Sequence, residues 1–146
     1  MSLATDVKAY IEPPAIAGLN GVDEAADLAA LIAAKQLPQR SPWAYVLPLG
    51  FDGGPGDAVT GMFRQPYRQV IGVVLVVQAL DDPKARKAIA TVDGLEQQLL
   101  AMICGWAPAG AVGVFSAQRG RLISVAGGLV IYQIDFILQN QLRIST

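Results

Sequence analysis

The side chains that could do chemistry in this sequence of 146 residues are few, because the chain contains no histidine. Histidine is the commonest general base, the usual partner of a nucleophilic serine or cysteine, and the commonest metal ligand. An enzyme built from this chain would have to use carboxylates, lysine, tyrosine or its single cysteine, Cys104. One cysteine also excludes an intrachain disulfide and any metal site with several cysteine ligands.

Cys104 and Asp135 are the two side chains closest to a reactive role, and each has a simpler interpretation. Cys104 falls in the last turn of a predicted helix, whereas a reactive thiol is favoured by a nearby cation or a helix N-terminus. We therefore expect a packed, inert cysteine. Asp135 falls on the polar side of an alternating segment, which predicts solvent exposure or an ion pair at a subunit interface. The sequence therefore predicts no catalytic residue.

The segment Phe51–Met62 contains four glycines, a proline and two aspartates. It lacks the lysine and the following helix of a phosphate-binding loop, so a phosphate cradle is excluded by context. We expect a flexible loop, or the tip of a long hairpin, that contacts a partner. Two arginines that follow it either grip an acidic partner or mark a solvated strand end. The predicted partner-binding residues are Phe51, Asp52, Asp57, Arg64, Tyr67, Arg68 and Asp135.

The composition of the chain predicts an oligomer. Hydrophobic residues make up 53% of the sequence and charged residues only 16%, against about 25% charged in an average soluble domain. No segment is long enough to cross a bilayer, so the surplus apolar surface must be buried in a core or between subunits. The net charge of −1 gives no electrostatic footprint for nucleic acid or an anionic membrane. The first residues do not resemble a signal peptide, which makes a cytosolic location the expectation.

The most informative stretch for the fold is Phe63–Leu80, FRQPYRQVIGVVLVVQAL. Its apolar, valine-rich centre predicts a central strand covered on both faces. Because Pro66 cannot donate to a sheet ladder, regular pairing is expected to begin near Tyr67. Gly72 within the strand predicts a bulge or a close backbone approach.

The other predicted elements surround this strand. Helices are expected at about 22–36 and from Asp82–Pro83 to a stop at Gly105. Strands are expected over Trp43–Leu49, Val112–Ala117, Leu122–Val125 and Leu129–Gln139, with turns at 118–121 and 127–128. The order favours one α+β domain spanning residues 1–146, with an extended segment at 1–21. We expect a mainly antiparallel sheet of four or five strands with two main helices on one face.

Three segments resemble phage tail terminator proteins, also called tail completion or minor tail proteins, and in particular those of Mu-like prophages. They are the strand RQPYRQVIGVVLVVQALDD, the helix end LLAMICGWAP and the closing SAQRGRLISVAGGLVIYQIDFILQNQLR. The likeness covers about residues 40–143, and its motifs are soft: a basic, aromatic strand start, a helix closing on Gly-Trp-Ala-Pro, and an aromatic final strand.

The resemblance implies a small α+β structural protein that forms a ring, typically a hexamer, at the head-proximal end of the tail tube. There it would stop tube polymerisation and offer a docking surface to the head, and no active site, cofactor or metal would be expected. The implied partners are copies of itself, the tail tube protein and head–tail connector proteins, without membrane binding or sequence-specific nucleic-acid binding. The protein would be assembled in the host cytoplasm and then reside in the virion tail. The alternatives are an oligomeric α+β module that binds a small ligand and a small histidine-free enzyme.

Overall fold

The computed structural model describes residues 2–26, 41–79, 84–126 and 128–145. Within these ranges the chain forms two helices and six strands. In chain order they are α1 (Leu3–Ile11), β1 (Gly21–Glu24), β2 (Trp43–Gly53), β3 (Asp57–Val59), β4 (Met62–Gln78), α2 (Arg86–Ile103), β5 (Phe115–Ala126) and β6 (Leu129–Ser145).

All six of these strands belong to one mixed sheet with the order β1-β2-β4-β6-β5, and β3 pairs with β4 beyond the end of β2. The β1–β2 pair is parallel, and the other pairs are antiparallel. The predicted α+β class and mainly antiparallel sheet are confirmed, but the sheet has six strands rather than four or five.

Strand β4 is the centre of the sheet, as its apolar sequence predicts. It lies between β2 and β6, and every residue from Ile71 to Val77 is buried. Strand pairing begins before Tyr67, however. β4 pairs with β6 from Met62 onward, and Pro66 lies opposite Gln141. The prediction failed because a proline lacks only the N–H donor. Its carbonyl still accepts a hydrogen bond from the Gly54 amide at 2.8 Å.

Both described helices pack on one face of the sheet, which confirms that part of the prediction. They bury Val7 and Ile11 of α1, and Val92, Leu95 and Leu99 of α2. These side chains join alternate residues of the strands in the main core, among them Val46, Val73, Leu75, Ile134 and Phe136. The opposite face carries a second buried cluster of Tyr45, Leu47, Val74, Val76 and Ile131. Both faces of the central strands are therefore apolar, which explains the unbroken hydrophobic run.

The first half of the chain differs from the predicted helix positions. Residues 3–11 form α1 rather than an extended segment, with the Ser2 side chain accepting a hydrogen bond from the Thr5 amide. Residues 22–24, the start of the predicted helix 22–36, belong to β1 instead. Residues 27–36 lie outside the described residues. Helix α2 begins at Arg86, and the predicted Asp82–Pro83 start also lies outside them. Gly105 follows the helix with a φ of 86°, as expected of a helix stop.

The last third of the chain forms longer strands than predicted. Residues 118–121 are not a turn, because β5 runs unbroken from Phe115 to Ala126. Its register shifts twice against β6, between Ala117 and Arg119 and between Leu122 and Ser124. Such bulges place an extra residue in one strand and produce the polar, glycine-containing pattern that resembles a turn. Strand β6 continues past Gln139 to Ser145.

Candidate partner-binding surface

The paired ends of four strands form an extension of the sheet that we call the arm: residues 48–53 of β2, 57–59 of β3, 62–70 of β4 and 139–145 of β6. In the arm, no residue reaches the burial of the core; side chains are exposed or half-buried. The predicted flexible loop 51–62 is thus part of a long hairpin, with strand pairing from Phe51 to Gly53 and from Asp57 to Val59. The hairpin alternative is confirmed.

One face of the arm is apolar. Residues opposite each other across an antiparallel pair share a face, and the register continues without a break along β4 and β6. The face on the side of the helices therefore carries Phe51, Phe63, Tyr67, Leu142 and Ile144. The Phe51 and Tyr67 rings meet edge to face, with centroids 6.0 Å apart. Phe51 remains 69% exposed and Ile144 49% exposed, so this face has little cover within the described residues.

The other face of the arm carries charged residues in cross-strand rows. Asp52 lies opposite Arg68, and Asp57 lies opposite Arg64. Arg64 in turn has Arg143 of β6 on its other side. Six of the seven predicted partner-binding residues are thus brought together on the arm, with Phe51 and Tyr67 on the apolar face and the four charged residues on the opposite face.

Asp135, the seventh predicted residue, does not belong to this surface. It lies in the middle of β6 and is only 3% exposed, which contradicts the predicted exposure. Its carboxylate accepts hydrogen bonds from Gln133 Nε2 at 2.7 Å and from Arg119 Nε at 3.2 Å. The ion pair is therefore formed within the chain. Gly72 lies opposite Asp135 without a bulge, and the atoms nearest to a Cβ placed there belong to side chains of Leu49, Asp135 and Gln133, so neither the predicted bulge nor a close backbone approach is found.

A groove lies between α1 and the segment after α2, and we call it the aromatic groove. It has a volume of about 530 Å³ and is lined by Asp6, Ala9, Tyr10 and residues 106–109. The Tyr10 and Trp106 rings stack with centroids 3.8 Å apart and 2° between their planes. A smaller cavity of about 220 Å³ shares the Asp6 wall and reaches Tyr67 at the base of the arm. The groove and the arm are therefore neighbouring surfaces.

Chemically reactive arrangements are scarce in the described part of the chain. Cys104 is exposed rather than packed, since the chain turns away from the helix there. No group of three potential metal ligands occurs among the described residues. Hydrogen bonding to Glu96 is the main cause that raises the pKa of Tyr132 from 10.0 to about 12, which moves the titration of this phenol further from neutral pH.

Sequence reasoning missed two parts of this surface. Leu142 and Ile144 continue the alternation of Leu129–Gln139, so extending the pattern by six residues would have found them. The aromatic groove had no comparable signal. Tyr10 and Trp106 are far apart in sequence, and only the packing of α1 beside the end of α2 brings their rings together.

Comparison with models of known protein families identifies the family of this chain. A family model described as phage tail terminator protein matches residues 4–146. This chain belongs to that family. No curated protein matches it. A tail terminator is a structural protein of the phage tail, and so this one belongs in the virion tail and interacts with other tail components. The likeness to the Mu-like group stays a prediction.

Neither described helix of this tail terminator is both long and apolar enough to cross a membrane.

Proposed function

We propose that this tail terminator forms a ring at the head-proximal end of the tail tube, where it ends tube polymerisation and presents a docking surface to the head. It acts through its surfaces and has no catalytic role. The arm contacts the tail tube protein or a neighbouring subunit, and head–tail connector proteins bind the completed ring. Genomic DNA passes through the lumen without sequence-specific contacts.

The observation that carries this proposal is the exposed apolar face of the arm. Large aromatic and aliphatic side chains are costly to leave in water, and a contiguous group of them is typical of a protein-binding surface. Phe51, Leu142 and Ile144 are all more than a third exposed on this one face. Together with the low charge content of the chain, this supports a subunit that completes its burial in an assembly.

Ring closure requires that successive copies bind through two different surfaces. Such head-to-tail contacts close into a ring when the rotation between copies divides a full turn, and otherwise form open filaments. A closed ring leaves no free growing surface of its own. Seated on the tube, it would cover the surface to which the next tube subunit adds.

Replacing Phe51 tests the proposal. The Phe51→Ser variant should fold with nearly unchanged stability, because the side chain is 69% exposed. Its affinity for tail tube protein or for its own copies should fall by about 2 kcal/mol, as for an aromatic anchor at the centre of an interface. Tubes assembled with the variant should be longer and more variable than those assembled with the original protein, as measured by electron microscopy.

The matched control is Val112→Ser, a change at a side chain that is 62% exposed and lies outside the arm. It should leave tube length and affinity unchanged. The proposal fails if the original protein has no effect on tube length, or if Phe51→Ser and Val112→Ser behave alike.

A further inference from the structure

The outer end of the arm holds a like-charged pair. We call residues 57–64 and 142–145 the tip. Arg64 and Arg143 lie directly opposite each other in the β4–β6 register, and like charges in such positions destabilise a strand pair. Asp57 on the other side of Arg64 offsets one of the two charges, and the row keeps a net charge of +1. An acidic group from outside would relieve the remaining repulsion.

The charged face of the tip also carries exposed apolar side chains. Val59 and Met62 lie opposite each other on that face, 49% and 37% exposed. A surface with apolar side chains beside a net positive charge suits a partner that is itself apolar with one acid. It suits a nucleic-acid backbone less well, since a solvated phosphate offers no apolar contact.

The aromatic groove combines apolar walls with a single acidic side chain, as such a partner should. Its walls are formed largely by Tyr10, Trp106, Pro108 and alanines, and Asp6 is its one charged lining residue in the described part of the chain. The Asp6 carboxylate is half-buried and makes no salt bridge or side-chain hydrogen bond with any described residue. Part of its role is to stabilise the first turn of α1 through the helix dipole. It remains available to pair with a cation.

We infer that the tip of one copy seats in the aromatic groove of the next copy, with Arg64 and Arg143 facing Asp6. The contact joins two different surfaces of one chain, and so it propagates head to tail. This inference rests on the proposed function, because it names the two surfaces through which the ring closes. It leaves the apolar face of the arm, with Phe51, for the tail tube.

A charge swap tests the contact in the full chain. The concentration for half-maximal self-association is measured by sedimentation velocity for the original protein, Asp6→Arg, Arg64→Asp and the double variant. Each single change replaces an attraction by a repulsion, which weakens association by about tenfold or more. The double variant restores the opposite charges and should return to within about threefold of the original value, a difference below 1 kcal/mol.

Two matched controls make the same charge changes elsewhere. Asp93→Arg changes an exposed residue of α2, and Arg121→Asp changes an exposed residue of β5. Both should self-associate like the original protein. Thermal unfolding of every variant separates a lost contact from a lost fold, and the rescue by the double variant does so independently.

The inference is wrong if the original protein stays monomeric at every concentration, if Asp6→Arg associates normally, or if the double variant is as weak as the single ones. It is also wrong if Arg64→Asp reduces affinity for duplex DNA while leaving self-association intact. In each case tube-length control by the original protein, measured separately, shows whether the proposed function itself survives.

Discussion

Asp135 carries a buried carboxylate, and burying a charged group is costly unless it is paired and hydrogen-bonded. Asp135 is 3% exposed, yet its two oxygens are satisfied by Gln133 and Arg119. Gly72 packs beside this cluster: a Cβ atom at position 72 would lie 3.4 Å from Asp135 Oδ1, about an ordinary contact distance, and 3.0 Å from Leu49 Cδ1. Since Arg119 lies between the two bulges of β5, the ion pair also fixes the register of that strand at the sheet edge.

Removing this carboxylate should be costly. Asp135→Ala leaves the buried Gln133 amide without its acceptor, and an unsatisfied buried donor costs about 2 kcal/mol. We expect the free energy of unfolding in urea to fall by about that amount. Asp52→Ala, which removes an exposed carboxylate on the arm, should change it by less than about 0.5 kcal/mol. Equal effects of the two variants would show that the Asp135 cluster adds nothing to stability.

The sequence predicted the face on which Asp135 lies, but not its burial. Alternation along β6 correctly separated Val130, Ile134 and Phe136 from Gln133 and Asp135. Alternation reports which side of a sheet a residue occupies, and says nothing about what covers that side. Here the second side also holds a buried cluster, so the polar residues on it are buried too.

At the scale of elements, a polar interaction between Glu96 and Tyr132 links α2 to the sheet. The interaction of the Tyr132 phenol in β6 with the Glu96 carboxylate of α2, chiefly hydrogen bonding, is the largest cause of the raised pKa of Tyr132. Gly120 of β5 makes room for the phenol, because a Cβ atom there would lie 2.6 Å from the Tyr132 hydroxyl oxygen. The helix is thus anchored by its polar edge as well as by its buried leucines.

The interaction between Tyr132 and Glu96 predicts how the stability of the protein falls at alkaline pH. The pKa of Tyr132 is raised from 10.0 to about 12, so the bond contributes fully below pH 10. Its contribution is lost as pH rises from 10 to 12, because the unfolded chain releases the phenolic proton first. Glu96→Gln should lower this pKa toward 10.0 and weaken the alkaline loss of stability, as followed by tyrosinate absorbance and by unfolding at each pH. Asp57→Asn on the arm is the control, and an unchanged titration in Glu96→Gln would contradict the assignment.

Elements with strong internal periodicity were predictable, and those defined by distant partners were not. The apolar run of β4 and the helical spacing of Val92, Leu95 and Leu99 were sufficient to place β4 and α2. Helix α1 was missed although Ala4, Val7 and Ile11 have helical spacing, because a nine-residue helix gives a short signal. Strand β1 exists through its parallel pairing with β2, which no local pattern of four residues can reveal.

At the scale of the whole molecule, the surplus of apolar residues is divided between two destinations. The described core takes most of the large aliphatic side chains, on both faces of the central strands. The remainder lies exposed, much of it on the arm. The composition predicted that such a remainder exists. Its location depended on whether residues 51–62 form a flexible loop or a hairpin, and the glycine-rich sequence left both alternatives open.

An assembly of this kind should show concentration-dependent stability. Contacts that form only between folded copies stabilise the folded state by mass action, so raising the protein concentration about a hundredfold should raise the Tm by several degrees. Differential scanning fluorimetry over that range measures the effect. Asp6→Arg should show a flatter dependence. A Tm of the original protein that is independent of concentration would contradict self-association.

The arm and the core share two unbroken strands. β4 and β6 each contain 17 residues and so span about 56 Å, with an uninterrupted ladder between them and no hinge along their length. In the proposed assembly, the rigid strands that connect tip and groove therefore fix the angle between one subunit and the next. The number of subunits per turn would be an intrinsic property of the protomer, and the tube would select a ring whose circumference is already determined.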